Sequence, residues 1–268
     1  MTLTPQAREE LDRQLGCRVP DPLVEIVRIA REVAGGDRGL YGAPYRCPGP
    51  LRLDGDAARY STTPPELFPI SSTGVDGEHW GYVVHAPELG ERDFPVATYC
   101  PMDSDGIVFL GRNTLDTWAR FIAESAADLP PRFVERVVDT LGLRIRPVDE
   151  PCTFTPTCPP GWRHEPTRDG VGVLAPHDTF DDRVRDRPEA VASVAAAAGQ
   201  ALDAGKPASA LVLLKNASWQ SADAEDLLTP YGDAWIAAYD ALGRGVLADV
   251  VRRARQRARD FADEREAQ

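Results

Sequence analysis

Lysine is almost missing from this chain: only Lys206 and Lys215 occur among its 30 basic residues, the rest being arginine. No uninterrupted apolar run approaches the roughly 18 residues of a membrane-spanning helix, and the opening MTLTPQAREELDRQL lacks a signal peptide's apolar centre. A cytoplasmic protein with no membrane partner is the expectation. Cysteine is scarce, and Cys17, Cys47, Cys100, Cys152 and Cys158 are odd in number without the dense spacing of a secreted disulfide framework, which implies reduced thiols. Catalytic and nucleotide signatures are absent too. There is no G-x-S-x-G elbow, no G-x-G-x-x-G after a strand, and no Lys-Ser or Lys-Thr after the glycines of GGDRGLYG.

What is present is a foldable composition, 43% hydrophobic and 27% charged over 268 residues, enough for two units. The net charge of −12 argues against direct nucleic-acid binding, which needs cations to replace phosphate counterions. The acidity is concentrated. From Asp54 to Asp105 ten acids face two bases, Arg59 and Arg92.

Asp21-Pro22 reads as a helix start, with Leu23, Ile26, Val27, Ala30 and Val33 at helical spacing and Gly35-Gly36 as the stop. From Leu40 to Leu110 short apolar runs alternate with turn residues, predicting strands near 67–70, 80–85, 95–100 and 107–110. Asp76-Gly77 and Asp105-Gly106 read as hairpin tips, because glycine accepts positive φ and aspartate bonds to nearby backbone. Asn113 and Asp116 form a capping box before a helix burying Leu115, Trp118, Phe121 and Ile122, and Pro130-Pro131 opens another that stops at Gly142. The fold class predicted is α+β: a mainly antiparallel sheet flanked by helices over residues 1–146. A proline-rich connector with at most one strand, at GVGVL, covers 147–186. An all-α helical-hairpin extension follows over 187–268, with helices opening at a 186–189 capping box, at Pro207, near Ser221, at Pro230 and at Arg244.

Several constellations carry possible chemistry. His79 and His85, six residues apart, fall on one face of a strand beside Glu78 and Glu88, so a hydrolase using His79 and Glu78 is one alternative, with no third residue to orient the base. Cys152, Cys158, His164 and His177 have spacings wider than structural zinc uses, and no metal or cofactor is expected. DSDG at 103–106 has Pro101 where a calcium loop needs its first ligand. The arginines between Arg252 and Arg259 read as a solvated helix face.

VPDPLVEIVRIAREVAGGD resembles the opening helix and Gly-Gly ending of the SUKH superfamily, the Smi and Knr type domains. ELFPISSTGVDGEHWGYVV resembles the family's first central strands and their turn, and DFPVATYCPMDSDGIVFLGRNTLDTWARFI its closing strands and helix. The resemblance spans about residues 19 to 125 and is carried by Gly35, Gly36, Gly74, Asp76, Gly77, Trp80 and Trp118. It implies a binding protein rather than an enzyme: a bacterial immunity protein of a polymorphic toxin system, which occludes a cognate toxin domain. Such toxins commonly have basic clefts, and an acidic surface suits them. The docking residues expected are Asp76, Glu78, His79, Trp80, Glu88, Glu91, Asp93, Asp103 and Asp105, spread over two hairpin tips. The other alternative is a regulatory scaffold that binds partners through its helical tail.

Overall fold

The computed structural model describes residues 8–9, 12–13, 18–34, 59–60, 62–72, 77–101, 106–145, 152–183, 191–218 and 229–266. The fold is α+β. A four-stranded antiparallel sheet in the order β1-β2-β3-β4 is formed by Leu67–Ser72, His79–Val83, Val96–Tyr99 and Val108–Gly111. Helix α1 (Asp21–Ala34) precedes it, and α2 (Thr114–Ser125) and α3 (Pro131–Leu141) follow. A two-stranded ribbon, β5 (Trp162–Glu165) with β6 (Val173–Pro176), leads to helices α4 (Val191–Asp203), α5 (Pro207–Ser218), α6 (Pro230–Ala241) and α7 (Gly245–Glu266).

Local chemistry accounts for several element ends. Asn113 caps α2 by accepting from the Asp116 N–H at 2.8 Å. The carboxylate of Asp116 returns the bond to the Arg112 N–H, one residue before the partner a capping box would give it. Helix α3 ends where Gly142, at φ 62°, donates its N–H to the Val138 carbonyl. Gly77 and Gly106 have φ of 71° and 81°, a region L-residues avoid, where each leads back toward a strand. Asp186 and Glu189, Gly35-Gly36 and the helix expected near Ser221 lie outside the described residues.

The pleat gives the sheet two different faces. Phe68, Ile70, Tyr82 and Val96 join Leu23 and Val27 of α1 in the largest cluster of buried side chains. Leu67, Val83, Ala97, Tyr99 and Ile107 instead pack with Val171, which comes from the loop of the ribbon. A third cluster, Ile26, Ile29, Trp118, Phe121, Phe133 and Val137, fills the corner between α1, α2 and α3.

The largest cluster also contains Val173, Ala175 and Phe180 of the ribbon region and Leu211, Leu214, Tyr231, Trp235, Tyr239 and Leu247 of the helical tail. The core therefore runs through all three sequence segments, and positions 146 and 186 are not breaks in it. The connector carries two strands rather than one at most. Trp162 to Glu165 form the unexpected one, a half-buried run whose side chains show no apolar alternation. In the tail each helix packs on the next, and α4 also touches α6. No helix among the described residues is long and apolar enough to cross a membrane.

Candidate partner-binding surface and the buried junction

Strand pairing separates the expected docking residues into two groups. Ser72 lies opposite His79, and His79 opposite Tyr99, at one end of the sheet. Leu67 opposite Val83, and Tyr82 opposite Val96, mark the other end. Glu78 is at the first end. Asp76, Asp103 and Asp105 lie outside the described residues, but the strands that flank them, β1 with β2 and β3 with β4, are joined at this same end. Glu88, Glu91 and Asp93 belong to the connection from β2 to β3, at the opposite end. Among the described residues, Glu78 and the group of Glu88, Glu91 and Asp93 therefore lie at opposite ends of the sheet.

Two of the nine are interior. Trp80 is 4% exposed and lines a small apolar hollow with Leu23, Ile70, Trp118 and the hydroxyl-bearing Ser71, Thr114 and Thr117. His79 is fully buried, stacked on Tyr60 and set edge-on to Tyr99. Its Nδ1 lies 2.8 Å from the Gly77 carbonyl oxygen, which only accepts, so Nδ1 carries the hydrogen and Nε2 accepts from the Thr63 hydroxyl at 3.2 Å. Burial pulls its pKa down to about 4. Both are corrections to the expected surface, and they arise because alternate residues of a central strand face two covered sides. Both ring nitrogens of His79 are thus engaged by groups of the protein itself, and the ring is out of contact with solvent.

Two more are engaged by the protein's own residues, Glu88 while remaining exposed and Asp93 half-buried. The Glu88 carboxylate accepts from Nε of Arg244 at 2.9 Å, and Arg244 itself is 1% exposed. Asp93 accepts from the Thr114 hydroxyl at 2.6 Å and from the Thr114 and Phe94 N–H groups, which ties the β2–β3 connection to the start of α2. Burial holds its pKa above the usual carboxylate value. Glu91 is exposed, and Glu78 is half-buried with Thr98 donating to it at 3.2 Å.

The most charged interior site involves residues outside that expected set. Lys215 in α5 has no exposure, and its Nζ lies 2.7 Å from Glu66 Oε2 and 2.9 Å from Asp169 Oδ2. Tyr239 of α6 donates its hydroxyl to Glu66 Oε1 at 2.9 Å. The other oxygen of Asp169 accepts from the Thr167 hydroxyl and the Val171 N–H. Glu66 precedes β1, Asp169 lies in the ribbon loop, and Lys215 and Tyr239 belong to the tail, so one ionic junction pins the three segments. The two carboxylates raise the Lys215 pKa against burial, which works the other way. Burial foremost, then the adjoining Glu66 charge, pushes the Tyr239 hydroxyl well above its ordinary value. One signal was available in the sequence: a lone lysine inside the apolar run ALVLLKNAS.

Of the four possible zinc ligands, His164 Nε2 donates to the Val171 carbonyl, and the exposed Cys158 thiol sits 3.9 Å from the Pro156 carbonyl oxygen. Among the described residues no group of three or more His, Cys, Asp or Glu converges as metal ligands do. No protein-family model matches the chain, and no curated protein matches it.

Proposed function

We propose that the chain is a non-enzymatic immunity-type protein of SUKH-like character that binds a cognate basic toxin domain and occludes it. The docking face is narrower than the sequence alone suggests: the end of the sheet at Ser72, His79 and Tyr99, with Glu78 and the flanking Asp76, Asp103 and Asp105. The observation that carries this reading is the strand order, in which both acidic connections leave the same end of the meander. Acids gathered at one end of a sheet speed encounter with a basic partner and select against acidic ones. His79 and Trp80 stiffen that end from inside, and Glu88 and Asp93 are occupied elsewhere.

The test is co-expression with the toxin-like module encoded beside its gene. The protein should restore growth. A combined Asp76→Lys, Glu78→Lys, Asp103→Lys and Asp105→Lys variant should lose protection, while Glu91→Lys at the other end of the sheet keeps it. Growth arrest unrelieved by the unaltered protein sinks the immunity reading, and equal loss in Glu91→Lys sinks the choice of face.

A further inference from the structure

His85 lies two residues beyond the end of β2, and His164 lies in β5. Their rings meet edge to face, with centroids 5.7 Å apart. Nε2 of His85 is 2.9 Å from the Val171 carbonyl oxygen, and Nε2 of His164 is 3.1 Å from the same atom. A carbonyl only accepts, so each ring carries its hydrogen on Nε2 and both donate to one oxygen. His85 is 6% exposed and stacks on Phe154, and Val171 is buried. Gly172 makes the arrangement possible: at φ 79° its backbone already favours glycine, and a Cβ there would stand 2.0 Å from His164 Nε2. One histidine belongs to the sheet, the other histidine and the carbonyl to the ribbon, so the contact fastens one to the other.

The charged groups around the pair come from several elements. Lys215 of α5 and Arg244 before α7 both act on His85 as cations, as does His164. Lys215 acts on His164 in the same sense, opposed by Glu165 and Asp169. Lys215 is matched by Glu66 and Asp169, with Tyr239 on Glu66, and Arg244 by Glu88. Burial is the larger influence on both rings and disfavours their charged forms, lowering the His85 pKa to about 3 and the His164 pKa below its ordinary value.

We propose that His85 and His164 form an acid-sensitive clasp: as neutral donors sharing the Val171 carbonyl they close the β5–β6 ribbon on the four-stranded sheet, and their joint protonation opens it. The closed form disfavours protons: a charge on His85 would be buried beside His164, Lys215 and Arg244, and a charge on the half-buried His164 would lose part of its hydration and face Lys215. The open form gives both rings to water, where they take protons near their ordinary value of about 6.5. Closure is thus fully supported above that pH and weakens as pH falls toward the closed-state values. Opening that takes up two protons grows by up to about a hundredfold per pH unit in that window. It uncovers the layer of Ile107, Val171 and Phe109.

Amide hydrogen exchange of the intact chain, corrected for intrinsic rates, tests this between pH 7.5 and 5. The ribbon amides should open by more than about tenfold per pH unit below about 6, while β1 to β3 keep their protection. His164→Gln should reduce the slope to about tenfold, and His85→Gln with His164→Gln should abolish it, since an amide donates to the carbonyl without titrating. His79→Gln should leave the ribbon response in place. Imidazole NMR of the unaltered protein gives a reading that needs no variant: both rings should stay neutral until the ribbon opens. Rings that titrate near their ordinary value with the ribbon closed overturn the clasp, as does an unchanged slope in the double variant or a ribbon that opens only with the whole sheet.

Discussion

In the corner where α1, α2 and α3 meet, Ile26, Ile29, Trp118, Phe121, Phe133 and Val137 touch through apolar surface. At the junction of sheet, ribbon and tail, Glu66, Asp169, Lys215 and Tyr239 meet through charge and hydrogen bonds in an equally buried setting. Apolar contacts add by area, and losing a methylene costs its share of burial plus a small cavity. A buried ionic set fails as a unit, because removing one member leaves the others charged and without water. The same depth of burial therefore gives one region that degrades by increments and one that does not.

The largest expected effect follows from that contrast. Lys215→Met keeps the volume and removes the cation, leaving Glu66 and Asp169 together in the interior. Urea unfolding should show a loss of about 3–5 kcal/mol. Adding Glu66→Gln and Asp169→Asn should recover much of it, although each alone in the presence of Lys215 destabilises. Ile29→Val in the helical corner should cost only about 1 kcal/mol. A Lys215→Met loss no greater than that of Ile29→Val would mean that the junction is not held by charge.

How far this contrast was legible depends on sequence distance. Asn113, Gly77, Gly106 and the stripe of Trp118, Phe121 and Ile122 are read correctly because cap, turn and period are written within a few neighbouring residues. The junction has no such signature: Glu66 and Lys215 are 149 residues apart, and Glu66 and Tyr239 are 173 apart. The even offset of His79 and His85 correctly places them on one face, but what covers His85 comes from Val171, 86 residues later. Their histidine and carboxylate neighbours resemble a surface site in sequence because a strand's alternation reports which face a residue shares, not whether that face is dry. β5 was illegible for the converse reason, its polar side chains being half-buried by contacts that no local pattern records.

Acid should act on the histidine-bearing face of the sheet and spare the helical corner. His79 and His85 have folded pKa values of about 4 and about 3, both below the ordinary 6.5. A base whose pKa is lowered by folding stabilises the fold above its unfolded value, and that contribution is lost as pH falls through the folded one. His79 alone should withdraw on the order of 3 kcal/mol between pH 6.5 and 4. Asp93, with a raised pKa, opposes this at lower pH, in the carboxylate range. Urea midpoints measured from pH 7.5 to 4.5 should fall, and His79→Gln should flatten the curve. At the alkaline end Lys215 and Tyr239, both raised, stabilise the fold up to about pH 10, and their contribution is lost as pH climbs beyond it. Ile29→Val should shift all these midpoints equally, since it touches no titrating group.

The smallest effect is predicted for ion pairs that resemble the junction on paper. Arg252 of α7 spans Asp240 and Asp249, one cation between two carboxylates, as Lys215 spans Glu66 and Asp169. The difference is water: the Arg252 and Asp240 side chains are each 45% exposed, whereas Lys215 has no exposure. Exposed partners recover hydration when the pair is broken, and salt at about 0.15 M screens them over about 8 Å. Arg252→Ala should therefore leave the urea midpoint unchanged within error at that salt, with any loss appearing only at low ionic strength. A salt-independent loss comparable to that of Lys215→Met would show that the number of charges in a set matters here more than its exclusion from solvent, and the distinction between the two kinds of region would fall with it.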